Sequence, residues 1–374
     1  MYRSSTGHCR TKAMNSDSKT DLRNLTQGEI VHFVESLGQP AFRGRQIMAW
    51  LYRPGISDFS QMTDLAKEFR LKLAEHAYIS QFYDPLIERS SDGCVKFAFT
   101  LDDGKIIESV LIPESDRNTL CVSAQVGCAM NCSFCLTATM GFIRNLSPSE
   151  IVNQVCAVGD FLRGEPKGKL IGPDRVTNLV FMGMGEPLNN LKNLIKSISI
   201  LTEQRGLDMT NRRITVSTCG IANKMMELGE QTDVNLAVSL HAVDNKTRGS
   251  LMPVNNRFSL EELLQACRDY PMAKRKRIMF EYILLKGIND SDEDARELAR
   301  ILRDIPCKIN LLPYNESPGL PFKSPSGNRV YAFQKIVRDA GYSVFIRTSR
   351  GEDISAACGQ LAKQKQQQQE VDHA

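Results

Sequence analysis

The sequence predicts an α/β protein built around a parallel β-sheet. From about residue 118 onward, strand-like and helix-like patterns alternate along the chain. Repeated β–α units of this kind form parallel sheets, which close into barrels or remain open as doubly wound sheets. Composition agrees with this class, because 42% of the 374 residues are hydrophobic and 24% are charged, as in a globular protein with a large core.

The two ends of the chain differ from the rest. Residues 1–22 and residues 363–374 are polar and low in complexity, so we expect both to be disordered. The N-terminus has no apolar segment typical of a signal peptide, and no apolar run is long enough to span a bilayer. The expected location is therefore the cytoplasm, without membrane attachment.

Residues 23–80 are predicted to form a small helical domain. Thr26 and Glu29 have the spacing of a capping box at a helix start, and Gly38 ends that helix. Two more segments with helical apolar spacing follow, and one of them contains the single tryptophan, Trp50.

Residues 81–117 change to a period of two and are predicted to form a β linker. The segment CVKFAFTLDDGKIIESVLIP contains two strands on either side of Asp103-Gly104, a dipeptide typical of hairpin turns. Glu108 lies on the second of these strands.

Residues 118–362 contain the repeated β–α units of the core. The predicted strands are TLCVSAQ, VTNLVFMG, RRITVST, VNLAVSLH, RIMFEYILL, CKINLLPY and YSVFIRT. The predicted helices between them are SPSEIVNQVCAVGDFL, LKNLIKSISILTEQ, ANKMMELGEQ, SLEELLQACRDY, SDEDARELARILRDI and VYAFQKIVRDAG.

Polar or unusual residues follow most of the predicted core strands. In β/α barrels the functional residues lie at the carboxyl ends of the strands. These strand ends carry the segments GCAMNCSFC, MGMGEPLNN, Ser217-Thr218, Ser239 to His241, Tyr314 to Glu316 and RTSRGEDISAACGQL. A single polar strand end is common, because chains reach the surface there. The occurrence of polar or unusual residues at six strand ends together predicts a functional site.

Three cysteines lie close together after the first core strand, at Cys128, Cys132 and Cys135. A structural disulfide framework is not expected in a chain without an export signal. Structural zinc sites take four ligands, and no fourth cysteine or histidine lies nearby in the sequence. Three thiolates in one loop suit a [4Fe–4S] cluster with one open iron, which we favour over zinc or inert thiols.

The C-x3-C-x2-C spacing, with Phe134 before the last cysteine, resembles the radical S-adenosylmethionine (SAM) superfamily. The resemblance implies a partial (β/α)6 TIM-like barrel, one [4Fe–4S] cluster held by Cys128, Cys132 and Cys135, and SAM bound at the open iron. The segment MGMGEPL is similar to the glycine-rich motif of this superfamily, in which Glu186 pairs with the cofactor ammonium.

The segments CVSAQVGCAMNCSFCLTATMGFIRNL, GMGEPL, SLHA, INLLPYN and RGEDISAACGQL together resemble one family, the RlmN-type adenosine-C2 RNA methyltransferases. The resemblance runs from about residue 25 to residue 362 and implies substrates in 23S rRNA and tRNA. It also implies an electron donor such as flavodoxin with its reductase. We expect a monomer, with RNA recognised mainly by the helical domain.

The family mechanism explains two further cysteines. Direct methyl transfer from a sulfonium needs a nucleophilic acceptor atom. Adenine C2 is electron-poor and is not nucleophilic. The resemblance assigns the methyl-carrying cysteine to Cys358, and assigns to Cys121 the removal of the C2 proton and the disulfide that releases the RNA. A thiol can perform both steps because its thiolate is nucleophilic and its disulfide is reversible. Glu108 matches a carboxylate assigned to proton transfer.

The resemblance also assigns the cofactor contacts. They are Gly185, Glu186, Ser217, Ser239, Leu240, His241 and Asn315.

Three other functions remain open at this point. The nearest is the sister branch that methylates adenosine C8 and confers antibiotic resistance. A radical enzyme acting on protein or a small molecule, such as a glycyl-radical activase, would not need Cys121 and Cys358. A non-catalytic iron–sulfur RNA-binding module would release no 5′-deoxyadenosine.

Overall fold

The structure, a computed structural model, describes residues 19–166, 168–317, 319–357 and 359–361. Its strands are β1 Thr20–Asp21, β2 Ala77–Tyr78, β3 Leu86–Arg89, β4 Val95–Thr100, β5 Ile106–Pro113, β6 Asn118–Cys121, β7 Gln125–Gly127, β8 Phe142–Asn145, β9 Asn178–Phe181, β10 Ile214–Thr218, β11 Asn235–Ser239, β12 Ile278–Leu284, β13 Cys307–Pro313 and β14 Val344–Ile346. Its α-helices are α1 Gln27–Ser36, α2 Ala41–Leu51, α3 Lys67–His76, α4 Leu136–Thr139, α5 Pro148–Gly164, α6 Leu191–Leu201, α7 Ala222–Gln231, α8 Asn245–Leu251, α9 Leu260–Asp269, α10 Asp292–Ile301 and α11 Gly327–Asp339.

One large sheet organises the chain, in the strand order β14-β13-β12-β11-β10-β9-β6-β5-β4-β3. The strands from β6 to β14 in this order are parallel, and helices connect them along the chain. This confirms the predicted α/β class with a partial β/α barrel. Parallel strands are covered by their crossover helices, which explains why the predicted core strands are nearly continuous apolar runs.

The predicted hairpin forms at the expected place but belongs to the same sheet. Strands β4 and β5 pair in antiparallel fashion, and the turn between them is closed by Gly104 with φ +75°. A third strand, β3, pairs with β4, and β5 pairs with β6. Residues 86–113 therefore extend the barrel sheet through unbroken hydrogen bonding.

The helical region begins earlier than the sequence predicted. We expected disorder through residue 22, but Thr20–Asp21 pair with Ala77–Tyr78, and Leu22 is fully buried. The polarity of the preceding residues concealed this short strand. The rest of the predicted disordered N-terminal extension, residues 1–18, and the tail 363–374 lie outside the described residues.

The helical region packs on the outer helices of the barrel. The buried Arg23 donates to the Asn153 side chain on α5 at 3.1 Å and to the Leu51 carbonyl at 3.1 Å. Lys196 on α6 forms an ion pair with Glu29 at 2.7 Å. The capping box of Thr26 and Glu29 is present, as predicted.

A short hairpin that the sequence did not predict follows the first parallel strand. Strands β7 and β8 pair with each other and enclose the three-cysteine loop. Each strand is too short to show a period of two in the sequence. Among the described residues, no helix combines the length and apolarity that a membrane span needs.

Candidate active site

A cavity of about 170 Å³ opens at the carboxyl ends of the parallel strands. This is where the sequence predicted functional residues to meet, because barrels place them at that face. The predicted residues that line the cavity are Cys128, Cys132, Cys135, Gly185, Glu186, Ser217, Ser239 and His241. The fold therefore brings together residues from four different strand ends.

The cysteine loop is closed by tight backbone packing. Gly127 has φ +71°, and a Cβ there would stand 1.8 Å from the carbonyl oxygen of Gly141. The Cys128 N–H donates to that same oxygen at 2.9 Å, and the Ser133 N–H donates to the Leu251 carbonyl at 2.9 Å. The β7–β8 hairpin and the end of α8 thus hold the loop on both sides.

The three thiols share one environment. Burial raises the pKa of Cys128 to about 11, and Cys135 adds to the rise. Burial also raises the pKa of Cys132, reinforced by Cys135 and Cys128. A thiol must lose its proton to bind a metal, so metal binding at Cys128 and Cys132 would release protons.

The donor set fits an iron–sulfur cluster. Among the described residues, no group of three or more His, Cys, Asp or Glu side chains could together hold a single metal ion. A cubane cluster poses a different requirement, because each thiolate binds its own iron. Because all three thiols line one cavity, each of them could bind a different iron of such a cluster.

Gln125 packs against Gly185 and forms a hydrogen bond with Glu186. The Glu186 N–H donates to Gln125 Oε1 at 2.8 Å. Glu186 is buried, and its carboxylate accepts from the Leu188 N–H at 2.9 Å and from the Cys219 N–H at 2.7 Å. Desolvation raises the pKa of Glu186, although these backbone donors oppose the rise.

Arg248 was not identified from the sequence, yet it forms hydrogen bonds to the chain at the ends of two strands, β10 and β11. Its side chain is completely buried and donates to the carbonyl oxygens of Cys219 at 2.7 Å, Leu240 at 3.1 Å and Ser239 at 3.2 Å. Buried carbonyl groups need such donors. Arg248 therefore sets the backbone path of the residues after β10 and β11, including the predicted cofactor contacts Ser239 and Leu240.

His241 is buried in a left-handed backbone conformation with φ +60°. Its Nδ1 accepts from the Ile283 N–H at 3.1 Å, so in the neutral ring the proton lies on Nε2. Burial, together with the nearby Arg248 charge, lowers the pKa of His241 to about 3. The imidazole is therefore neutral at physiological pH, and its ring meets Phe134 edge-to-face at 5.0 Å.

The cavity is also lined by two charged residues, Glu281 and Arg347, that the sequence analysis did not select. Glu281 on β12 is 4% exposed, and its Oε1 accepts from Asn310 at 3.0 Å, whereas Oε2 has no hydrogen-bond partner among the described residues. Desolvation raises the pKa of Glu281, and Arg347 opposes the rise. With Glu186, this gives the cavity two buried carboxylates, which suit a cationic ligand.

A second cavity of about 100 Å³ adjoins the first and contains Cys121. Ala357 and Gly359 also line it, while Cys358 itself lies outside the described residues. The two cavities have lining residues in common, namely Cys135, Thr137, Met182, Gly183, Arg347 and Gly359. Cys121 thus lies next to the cavity that Cys128, Cys132 and Cys135 line.

Three predicted site residues line neither cavity. Leu240 is buried, and its N–H donates to the Glu281 carbonyl at 3.0 Å. Asn315 is half-buried and accepts a hydrogen bond from the Ser349 hydroxyl. Glu108 is buried on β5, 3.9 Å from Lys96 Nζ. Their predicted roles remain predictions.

The structure also brings in a fourth cysteine that is distant in sequence. Cys219 follows β10 and lines the main cavity with the three loop cysteines. Burial raises the pKa of Cys219 strongly, and the neighbouring Glu186 and Cys132 add to the rise. Only the fold brings this cysteine near the loop, which is why sequence spacing did not identify it.

Comparison with known proteins identifies the family of the chain. Residues 20–79 match the ribosomal RNA large subunit methyltransferase N-terminal domain, and residues 122–299 match the radical SAM superfamily. The chain is 71% identical to the dual-specificity RNA methyltransferase RlmN of Desulfotalea psychrophila, over 92% of this chain and 95% of the relative. It is 50% identical to the protein of the same name from Geobacter sulfurreducens, over 92% of each chain.

A solved structure shows the same fold. The crystal structure of a radical SAM methyltransferase from Sphaerobacter thermophilus superposes with a TM-score of 0.84 at 43% identity. The match covers 91% of this chain and 98% of that one.

Proposed function

The chain belongs to the RlmN family of radical SAM RNA methyltransferases, and from that premise we propose that it methylates C2 of adenosine in 23S rRNA and in tRNA. In rRNA the proposed target lies in the peptidyl-transferase loop, and in tRNA it is the adenosine 3′ of the anticodon. The radical SAM family implies SAM and a [4Fe–4S] cluster as cofactors.

The main cavity is the proposed cofactor site. Cys128, Cys132 and Cys135 would hold the cluster, and the buried carboxylates of Glu186 and Glu281 would face the positive charges of SAM. Gly185, Ser217, Ser239 to His241 and Asn315 complete the proposed contacts. When bound, the cofactors supply a methyl group and a 5′-deoxyadenosyl radical.

The position of Cys121 is the observation that carries the proposed mechanism. Cys121 and the chain neighbours of position 358 line one small cavity that adjoins the cofactor cavity. A pair of cysteines that must close a disulfide needs close approach of the two chain segments. The structure brings the segments together although they are far apart in sequence.

The two cysteines have different proposed tasks. Cys358 carries the methyl group and forms the carbon–carbon bond to C2 through it, so the RNA is briefly joined to the protein. Cys121 removes the C2 proton, and after it has passed that proton on, its thiolate attacks the Cys358 sulfur and forms the S–S bond. The bond between the Cys358 sulfur and the transferred carbon breaks, its electron pair stays on the carbon, and the carbon takes up a proton to become the methyl group. Glu108 is the proposed proton-transfer carboxylate, with its charge balanced by Lys96.

RNA recognition is assigned to the helical domain at residues 23–80, which matches the family N-terminal domain. The target base must leave its stack to reach a cavity at a barrel mouth, so a loop or flipped adenosine is required. Electrons would come from a flavodoxin and its reductase. We further propose a monomer that acts in the cytoplasm, where both RNAs occur.

An anaerobic assay tests this function. The reconstituted protein, SAM and a reductant are incubated with large-subunit rRNA and bulk tRNA, and digested nucleosides are identified by mass spectrometry. We expect 2-methyladenosine from both RNAs, and none from Cys358→Ala. Cys9→Ala, at a cysteine that precedes the residues matching the family models, is the cysteine control. Formation of 8-methyladenosine would move the chain to the sister branch, and full turnover by Cys358→Ala would refute the mechanism.

A further inference from the structure

The hairpin of β3 and β4, through its turn at residues 90–94, holds the chain segment that leads to Cys358. The carboxylate of Asp92, in the turn between β3 and β4, accepts from Arg350 Nε at 3.0 Å and from the Gly351 N–H at 2.8 Å. Arg350 Nη2 also donates to the Asp92 carbonyl at 2.7 Å. Asp92 therefore binds the segment through both its side chain and its backbone.

A second group of contacts lies a few residues further along the segment. The carboxylate of Asp353 accepts from the Ser90 hydroxyl at 2.5 Å and from the Ser91 N–H at 2.9 Å. The Lys96 ammonium, which is 4% exposed, donates to the Ile354 carbonyl at 2.6 Å. The hairpin thus holds the segment by three separate attachments on the N-terminal side of position 358.

The C-terminal side of position 358 is held by the cluster loop. The Leu136 N–H donates to the Gly359 carbonyl at 2.7 Å, and the Thr137 hydroxyl donates to the Leu361 carbonyl at 3.1 Å. Leu136 directly follows Cys135 in the chain. Position 358 is therefore bracketed by an attachment to the hairpin and an attachment to the cluster loop.

Between the two attachments the chain makes a tight turn. Gly351 has φ +72°, and its carbonyl accepts from the Ala356 N–H at 2.8 Å. A Cβ on Gly351 would stand 2.8 Å from the Cβ of Ala356, so the turn leaves no room for a side chain there. This turn directs the buried Ala356 and Ala357 into the cavity that contains Cys121.

We propose that Asp92 and Asp353, with their partners Ser90, Arg350 and Gly351, form a hairpin clamp that positions Cys358 for its reaction with Cys121. The clamp residues are positioning residues, because they act through the segment they hold. The inference rests on the proposed roles of Cys121 and Cys358. Disulfide formation accepts only a narrow range of distances between the two cysteines, so loosening one segment lowers the probability of closure.

The effect of a clamp substitution on the segment can be distinguished from its effect on the folding stability of the protein. Asp92 and Arg350 are about one-third exposed at their side chains, and exposed ion pairs contribute little to global folding. Asp92 also accepts the Cys94 N–H at 2.9 Å within the turn between β3 and β4, and an asparagine at this position keeps an acceptor oxygen for that hydrogen bond. Removing a clamp contact should therefore change where the segment lies more than whether the protein folds.

The effective concentration of the Cys121–Cys358 thiol pair tests the clamp. Holoenzyme is equilibrated anaerobically in glutathione buffers of graded redox ratio, the thiols are trapped, and the disulfide-linked peptides are quantified by mass spectrometry. We compare Asp92→Asn and Asp353→Asn with the wild type. The matched control is Asp102→Asn, an exposed aspartate in the turn at the opposite end of β4.

We expect each clamp variant to lower the effective concentration about tenfold, because each loses charge-assisted hydrogen bonds to the segment. The control, the melting temperature and the cluster absorbance should stay at wild-type values. Wild-type effective concentrations in both clamp variants would overturn the clamp alone. A wild-type protein that forms no Cys121–Cys358 disulfide would overturn the proposed mechanism and the clamp with it.

Discussion

Replacing Gly185 by alanine should damage the cofactor site in a way that can be calculated. Gly185 has φ +95°, and a Cβ there would stand 2.4 Å from Cβ and 2.7 Å from Cγ of Gln125. A side chain in left-handed backbone costs about 1–2 kcal/mol, and forced overpacking costs about 1–3 kcal/mol. We therefore expect Gly185→Ala to lower the free energy of unfolding by about 2–5 kcal/mol.

The same substitution should also weaken SAM binding. Gln125 accepts the Glu186 N–H at 2.8 Å and donates to the Asn145 side chain at 2.7 Å, so it cannot move without breaking a contact on either side. Its displacement would shift Glu186, whose carboxylate faces the cavity. We expect a loss of about tenfold or more in SAM affinity, equivalent to about 1.4 kcal/mol.

Gly287→Ala is the matched control. Gly287 also has a left-handed backbone, with φ +72°, but a Cβ there meets no atom within 4 Å. It should lose only the backbone contribution of about 1–2 kcal/mol and keep SAM affinity. Urea unfolding and anaerobic SAM titration measure the two quantities. Equal effects of the two substitutions would refute the argument that Gln125 packing makes glycine necessary at position 185.

Three further changes are expected to have distinct results. Glu281→Gln removes a buried carboxyl group from the cavity, so calorimetry should show about tenfold weaker SAM binding with the cluster retained; affinity within twofold of wild type would contradict this. Arg248→Met removes the donor from two buried carbonyls, those of Leu240 and Cys219, and from the part-buried carbonyl of Ser239, so urea unfolding should show a loss of about 3–6 kcal/mol, and an unchanged midpoint would refute it. His241→Asn should reduce the stability lost on acidification, since the folded-state pKa of His241 is about 3 and the unfolded chain gains this proton below about pH 6.5. Melting curves at about pH 7 and about pH 5 measure that difference, and equal acid sensitivity of variant and wild type would exclude His241 as its source.

The segments that form the parallel strands were predictable because such strands are buried on both faces. Segments such as RIMFEYILL show this directly as long apolar runs. The hairpin at Asp103-Gly104 and the capping box at Thr26 were predictable because local turn and cap chemistry determines them.

The remaining features depend on contacts between distant parts of the chain. Arg248 occurs in the polar segment DNKTRGSL, which suggests a surface helix, and only the fold shows that it is buried under two strand ends. Glu281 had a usable signal, a single carboxylate inside an apolar strand, which is costly unless it has a function or a partner. Cys219 and the short β7–β8 hairpin gave no such signal, because spacing and periodicity cannot identify them.

The most direct test of the account is the fate of RNA on Cys121→Ala. In the proposed mechanism, loss of the thiol at position 121 leaves the C2 proton in place and prevents the disulfide that releases the RNA. The account predicts that RNA accumulates in covalent linkage to the protein, with the adduct on the peptide that contains Cys358 by mass spectrometry. Release of free 2-methyladenosine RNA at the wild-type rate, or an adduct on another residue, would contradict it.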